Sequence, residues 1–125
     1  YDEQGTAVYH TNVLMCVATE FAMISLNMVP NSQHKQLTSH FIQSHLEVIN
    51  LTNEQISSFC GNAIELQGTN GRILALSQTA FNALTTEQKA VIQKTAKLVP
   101  LPIPTIESAG GSVRCMIAGI HLQSK

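Results

Sequence analysis

The chain has 125 residues and a mass of 13.6 kDa, which fits one domain or a piece of one. Hydrophobic residues make up 44% of it and charged residues only 12%, so part of its surface is expected to pack against more protein. The net charge is -1 without any basic run, which leaves no electrostatic footprint for nucleic acid or a membrane surface, and no apolar run approaches the roughly 18 residues of a membrane span.

The cysteines and histidines argue against a disulfide framework and against a metal site. The three cysteines, Cys16, Cys60 and Cys115, are odd in number and far apart, which is typical of a reducing compartment and predicts a cytoplasmic protein. His34 and His45 share the face of a predicted helix, but 11 residues separate them by roughly 16 Å, too far to ligate one ion. We therefore predict that the chain binds no metal.

The first half of the chain predicts two strands, a helix and a third strand. Residues 13–18 and 21–26 are apolar runs that predict a hairpin. A helical period follows over 32–46, and 47–51 predicts a short strand. The sequence Thr52-Asn53-Glu54-Gln55 then matches a capping box, in which the Thr and Gln side chains bond free backbone amides at a helix start.

The second half predicts the same order of elements. Residues 62–67 and 72–77 form a predicted hairpin around a Gly-Thr-Asn-Gly turn. A second capping box at 85–88 opens a helix of about ten residues, and 98–101 is the next predicted strand. The inward residues of that helix are Val91, Ile92 and Ala96, and the prolines that end regular structure after it are Pro100, Pro102 and Pro104.

An internal repeat of about 50 residues links the two halves. It aligns Asn12 with Asn62 and then with Ser112, where residues 113–118 begin another apolar stretch. The chain is thus expected to hold two strand–strand–helix–strand (ββαβ) units and the first strand of a third. A period of this size is typical of α/β arrays and propellers, which need further units to complete their core.

Two segments far apart in the sequence carry the residues of a nucleophilic site. Gly110-Gly111-Ser112 precedes Cys115, and glycines let the backbone approach a substrate closely and offer amide donors. A thiolate at Cys115 would be the nucleophile, and His10 would be the proton shuttle. From the residues alone, Cys115 as a small buried hydrophobe and His10 as a hydrogen-bonded histidine at a strand end stay open.

Other polar residues near these segments have simpler interpretations. Asn12 and Asn62 are interpreted as turn-makers, because asparagine bonds its own backbone and tolerates unusual dihedral angles. Glu65 occupies the repeat position of Cys115, and a solvated strand face is favoured for it over a role in a site. His121, between Ile120 and Leu122, is interpreted as a structural or rim residue.

Three segments together resemble a known group of enzymes. They are VYHTNVLM at 8–15, FCGNAIEL at 59–66 and SAGGSVRCM at 108–116. In this order and spacing they resemble the amidinotransferase and guanidino-group-modifying superfamily, which has the pentein fold. That superfamily includes arginine deiminases, dimethylarginine hydrolases and glycine amidinotransferases. The resemblance is closest to its bacterial citrulline-hydrolase and amidinotransferase-like branch.

The resemblance implies a partial fivefold pseudosymmetric α/β-propeller of ββαβ repeats, with residues 1–125 as the C-terminal part of the catalytic domain. It implies Cys115 as nucleophile, His10 as general acid and base, and Gly110, Gly111 and Ser112 against the substrate. The substrate would be a guanidino or ureido compound, arginine-like or citrulline-like, and no cofactor or metal is implied. The carboxylates that grip it would come from the missing N-terminal half.

Hydrolysis through a covalent cysteine intermediate is the function we expect from this resemblance. Amidino transfer in the same superfamily is the alternative, and so is a non-catalytic half-propeller completed by a partner chain. A homo-oligomer also stays open.

Overall fold

A computed structural model of the protein describes residue 5 and residues 7–120. Its strands are β1 (Met15–Val17), β2 (Phe21–Ile24), β3 (Glu47–Asn50), β4 (Ile64–Gly68), β5 (Gly71–Ser77) and β6 (Lys97–Leu101). Its helices are α1 (Thr11–Leu14), α2 (Asn31–Gln43), α3 (Asn53–Ser57), α4 (Gln78–Ala83), α5 (Thr86–Gln93) and α6 (Pro104–Ser108), with 3₁₀ turns at Leu26–Met28 and Arg114–Met116. Within these ranges no helix is long and apolar enough to span a membrane.

The strands form two three-stranded sheets with the same topology. In the first sheet, β1 runs antiparallel to β2 and β2 runs parallel to β3. In the second sheet, β4 and β5 form the hairpin and β6 lies parallel to β5. Each parallel pair is joined through helices, as parallel strands require. Both predicted hairpins and both ββαβ units are therefore confirmed.

The strand register departs from a uniform 50-residue period. Ala22 pairs with Val48 in the first sheet, whereas Leu74 pairs with Leu98 in the second. In β3 and β6, the corresponding residues Val48 and Leu98 are 50 positions apart in the sequence. In β2 and β5, the corresponding residues Ala22 and Leu74 are 52 positions apart. Because side chains alternate along a strand, a two-residue offset keeps the same faces buried, so the repeat survives it.

The predicted first strand of a third unit is wrong. Residues 114–116 form a 3₁₀ turn, closed by bonds from the Cys115 and Met116 amides to the Ser112 and Val113 carbonyls. A strand needs a neighbour to bond its backbone, and none pairs with this segment in the described ranges. The local turn satisfies the backbone instead, while Val113 anchors it in the core.

Several boundaries differ from the predicted ones. Helix α2 ends at Gln43, and His45 lies beyond it with a left-handed φ of 59°. Pro100 lies within β6 rather than ending it, because β6 is an edge strand where a missing donor is tolerated. Pro104 starts α6 at its first position, where helices accept proline, and neither α4 nor α6 was predicted.

One apolar core joins the two units. It contains Phe21 and Met23 from β2, Leu74 and Leu76 from β5, and Ile92 from α5, all nearly inaccessible to solvent. A smaller cluster lies between α2 and its own sheet. Because most of the buried apolar residues belong to the shared cluster, the two units are expected to unfold together.

The two predicted capping boxes are confirmed, and their glutamines bind each other. Thr52 and Gln55 cap α3, and Thr85 and Gln88 cap α5 in the same way. The Gln55 side-chain amide also donates to the Gln88 side chain at 2.7 Å and to the carbonyl of Ala83 at 2.9 Å. A polar bridge between units thus lies beside the apolar core.

Replacing Gln55 by Ala should lower the free energy of unfolding by about 3 kcal/mol, because it leaves buried backbone groups unpaired. Urea unfolding of the full-length protein followed by circular dichroism measures the change. Gln93→Ala, at an exposed position of α5, is the matched control and should cost under about 0.5 kcal/mol. Equal losses in the two variants would contradict a role for this bridge.

Candidate active site

Residues from both ends of the described chain line one open cavity of about 380 Å³. His10 and Asn12 come from the segment that leads into β1, and Arg114 and Cys115 come from the 3₁₀ turn after α6. The remaining lining residues are Tyr9, Ala109, Gly110 and Gly111. The fold therefore brings the two residues predicted for the chemistry, His10 and Cys115, to one cavity although 105 positions separate them.

Local backbone geometry explains how each segment reaches the cavity. His10 is extended and precedes the single helical turn α1, so its side chain stands outside that turn. Gly110 has a φ of 85°, which glycine adopts readily and which redirects the chain after α6. The Tyr9 hydroxyl donates to the Gly110 carbonyl at 3.1 Å and joins the two segments across the cavity.

Cys115 is the exposed cysteine of the three, and its sulfur is held by amide groups. The Asn62 side-chain nitrogen lies 3.1 Å from the Cys115 Sγ, and its oxygen accepts from the Cys115 backbone N–H at 3.3 Å. The Asn12 side-chain nitrogen lies farther from the sulfur, at 4.0 Å. The structure thus contradicts the interpretation of Cys115 as a buried hydrophobe.

Asn62 is the site residue that sequence reasoning missed. We interpreted it as a turn-maker, yet its side chain points at Cys115 and is only 2% exposed. The signal was present in the sequence repeat of about 50 residues, which aligns Asn12, Asn62 and Ser112. A polar residue that recurs at the same position of a sequence repeat is a candidate for the place where the repeat units meet.

The predicted substrate-binding residues divide into two groups. Gly110 and Gly111 line the cavity, whereas Ser112 is fully buried beneath it. The Ser112 hydroxyl and the Asn12 side-chain oxygen have no hydrogen-bond partner within the described ranges. Ser112 instead contributes its backbone carbonyl, which accepts from the Cys115 N–H and closes the turn.

No carboxylate is among the residues that line this cavity. The Glu65 side chain is half-buried and accepts from the Thr19 backbone N–H at 3.1 Å and from the Thr19 hydroxyl, so it is neither a solvated group nor a cavity residue. Glu107 accepts from the Thr79 hydroxyl at 2.7 Å. Arg114 is therefore the charged residue beside Cys115, and a cation alone cannot hold a guanidinium group.

The other two cysteines are chemically different from Cys115. Burial raises the pKa of Cys16 to about 12, with the Glu65 carboxylate adding to the effect. Burial also raises the pKa of Cys60 to about 12, and its thiol donates to the Ala80 carbonyl at 3.4 Å. Because the thiolate is the reactive form, both thiols are expected to be inert at neutral pH.

No cluster of three or more metal-ligating side chains occurs in residue 5 or residues 7–120. His34 contacts the Val29 carbonyl at 2.7 Å, which explains that residue without a metal. His121, predicted to be structural or at a rim, lies outside the described residues.

The fold is shared with a solved enzyme structure. The crystal structure of apo ArgZ, an arginine dihydrolase from the ornithine-ammonia cycle in cyanobacteria, superposes with a TM-score of 0.63 at 14% identity. The alignment covers 86% of this chain and 15% of that chain, so this chain spans a small part of the length of ArgZ. Among curated proteins, none matches the sequence.

Fold and motifs together define a protein of the guanidino-group-modifying superfamily with the pentein fold. The family model for eukaryotic N,N-dimethylarginine dimethylhydrolase matches residues 1–122, so the chain belongs to that family. The superfamily expected from the three motifs is thereby confirmed. Within it, the matching model describes dimethylarginine hydrolases, whereas the resemblance was closest to the bacterial citrulline-hydrolase and amidinotransferase-like branch.

Iodoacetamide at pH 8 should alkylate Cys115 in the native protein and leave Cys16 and Cys60 unmodified. With a pKa of about 12, only about one in 10,000 of each buried thiol is ionised at that pH. Peptide mass spectrometry of the full-length protein at timed intervals gives the three rates, and urea should make all three cysteines react. Equal, slow labelling of all three in the native state would contradict a reactive Cys115.

Gly61 permits the close backbone approach that places Asn62 in the site. A Cβ atom there would lie 2.3 Å from the Val13 carbonyl oxygen, and no side chain movement relieves a clash with backbone. Gly61→Ala should therefore destabilise the protein by about 3 kcal/mol and slow alkylation of Cys115.

The matched control for this variant is Gly111→Ala, whose Cβ would meet Cys115 at an ordinary 3.6 Å. That variant should change the free energy of unfolding by under about 0.5 kcal/mol. Thermal unfolding of both variants measures the difference. A stable, normally alkylated Gly61→Ala protein would show that the two segments do not need this approach.

Proposed function

We propose that this chain carries the nucleophile and the general acid and base of a cysteine-dependent hydrolase acting on a guanidino compound of the arginine type. The observation that carries the proposal is the cavity in which His10 and the exposed thiol of Cys115 lie together. Membership of the dimethylarginine hydrolase family supports it, and methylated arginines are the first substrates to test.

The reaction begins with a difficult electrophile, because the charge of a guanidinium group is delocalised over three nitrogens. The Cys115 thiolate adds to the central carbon, and a tetrahedral adduct forms. His10 donates a proton to the leaving nitrogen, the C–N bond breaks, and the amine departs. The remaining carbon is bound to sulfur as a thiouronium-type intermediate.

Water then completes the cycle. His10, now neutral, accepts a proton from water as the oxygen adds to the same carbon. The C–S bond then breaks, the sulfur leaves as the thiolate, and the hydroxyl proton passes to solvent, which gives the neutral ureido product. Gly110 and Gly111 allow the backbone to lie against the substrate during both steps.

Two related activities use the same residues. A ureido substrate such as citrulline would follow the same steps, and an amine in place of water would make the enzyme an amidinotransferase. Hydrolysis is favoured because the matching family consists of hydrolases. No organic cofactor or metal ion enters any of these steps.

The chain is proposed to be the C-terminal part of a larger catalytic domain. A guanidinium group needs carboxylate partners, and the cavity described above has none, so another part of the domain would supply them. Two ββαβ units fit as two of about five units of an α/β-propeller. A non-catalytic half-propeller completed by a partner chain, or a homo-oligomer, is the alternative.

The mass of the denatured polypeptide isolated from its own cells separates these arrangements, because denaturation dissociates a homo-oligomer. A mass near twice 13.6 kDa or above supports one continuous domain. A monomer near 13.6 kDa would contradict it. A cytoplasmic location remains the prediction, and cell fractionation tests it on the same material.

Activity is tested on the full-length protein with dimethylarginine, arginine and citrulline, by measuring amine or ammonia release. Cys115→Ser should lower kcat by at least about 1,000-fold, because a hydroxyl is a far weaker nucleophile. His10→Asn should lower it by about 100-fold or more. Cys60→Ser is the matched control and should retain the activity, provided that circular dichroism shows an intact fold. Full activity of Cys115→Ser would contradict the proposal.

A further inference from the structure

We propose that Asn62 is a positioning residue, whose side-chain amide orients Cys115 and stabilises its ionised sulfur. The inference rests on the proposed function for Cys115. It adds a residue that lies just before β4, far from Cys115 in the sequence. Asn62 acts through Cys115, so it is not assigned any contact with the substrate.

The amide holds Cys115 at two points. Its nitrogen donates to the Cys115 Sγ at 3.1 Å, and its oxygen accepts from the Cys115 backbone N–H at 3.3 Å. The Asn62 backbone carbonyl also accepts from the Arg114 N–H at 3.4 Å. One residue thus fixes both the backbone of the turn and the direction of the sulfur.

The hydrogen-bond network determines which end of the amide faces the sulfur. The Asn62 nitrogen also donates to the Asn12 backbone carbonyl at 2.8 Å, so both of its N–H groups are used. A flipped amide would place its oxygen against the Asn12 carbonyl, which is also an acceptor, and its nitrogen against the Cys115 backbone N–H, which is also a donor. The N–H end therefore faces the Cys115 sulfur.

The direction of this bond favours the thiolate. An N–H donor binds a negatively charged acceptor more strongly than a neutral one, and Asn62 is almost fully shielded from water. Cys60 has the opposite arrangement, because its sulfur donates to the Ala80 carbonyl and must keep its proton to do so. The sulfur of Cys115 thus receives a hydrogen bond, whereas the sulfur of Cys60 donates one.

The first variant to test is Asn62→Asp, and Asn62→Ala then separates loss of the N–H donor from the effect of added charge. Asn62→Asp preserves the volume and the oxygen acceptor but replaces the N–H donor by a negative charge near the sulfur. The pH profile of Cys115 alkylation in the full-length protein should move upward by at least about one unit, and the rate at pH 7 should fall at least about tenfold. His10, Tyr9 and Arg114 share the cavity and stay unchanged, so the difference reports Asn62.

The matched control is Asn53→Asp, which adds the same charge in the first turn of α3, outside the cavity. Its alkylation profile should superimpose on that of the wild type. A folded Asn62→Asp protein whose profile also superimposes would overturn the proposal. Asn62→Ala removes the donor without adding charge, and its alkylation rate at pH 7 should fall about threefold or more.

A measurement on the unmodified protein covers the case in which both Asn62 variants fail to fold. The side-chain amide protons of Asn62, followed by ¹⁵N NMR, should shift with pH at the midpoint of the alkylation profile. Amide signals that ignore that midpoint would overturn the proposal. Alkylation needs no turnover, so a profile that moves in a protein with no hydrolase activity would refute the proposed function and leave this inference standing.

Discussion

The site depends on a close approach of backbone between the two repeat units at Gly61. The main chain around Val13 and Leu14 lies so near that no Cβ atom fits there. This approach lets the Asn62 side chain bond to Asn12 on one side and to Cys115 on the other. Segments from the start of each repeat unit and the 3₁₀ turn at Arg114–Met116 therefore meet at Asn62.

Burial distinguishes two of the three cysteines from the third. Cys16 and Cys60 lie in the shared core, where the absence of water opposes ionisation and raises the pKa of each thiol. Cys115 lies in a turn at the edge of the fold, where its sulfur faces a cavity and amide donors. The core thus keeps two thiols unreactive, and the turn keeps the third one available.

Local signals in the sequence predicted most of the fold, because they depend on neighbouring residues. The Thr52 and Thr85 capping boxes and both hairpins are of this kind. The 3₁₀ turn at 114–116 was missed because an apolar run forms a strand only when another strand lies beside it. Asn62 was misassigned for the same reason: its partners are 50 and 53 positions away, and only the folded chain brings them together.

In the part of the chain that the structure describes, the cavity is lined by the cation Arg114 and by no carboxylate. The groups proposed for covalent chemistry and proton transfer, Cys115 and His10, line this cavity, and the charged side chain beside them is Arg114. A guanidinium substrate would be repelled by that cation unless carboxylates from elsewhere outweighed it. Binding and chemistry would then reside in different parts of the domain. The side-chain amides of Asn62 and Asn12 lie beside the sulfur of Cys115. An amide is neutral, so it can stabilise a thiolate without adding a further positive charge that would repel a guanidinium substrate.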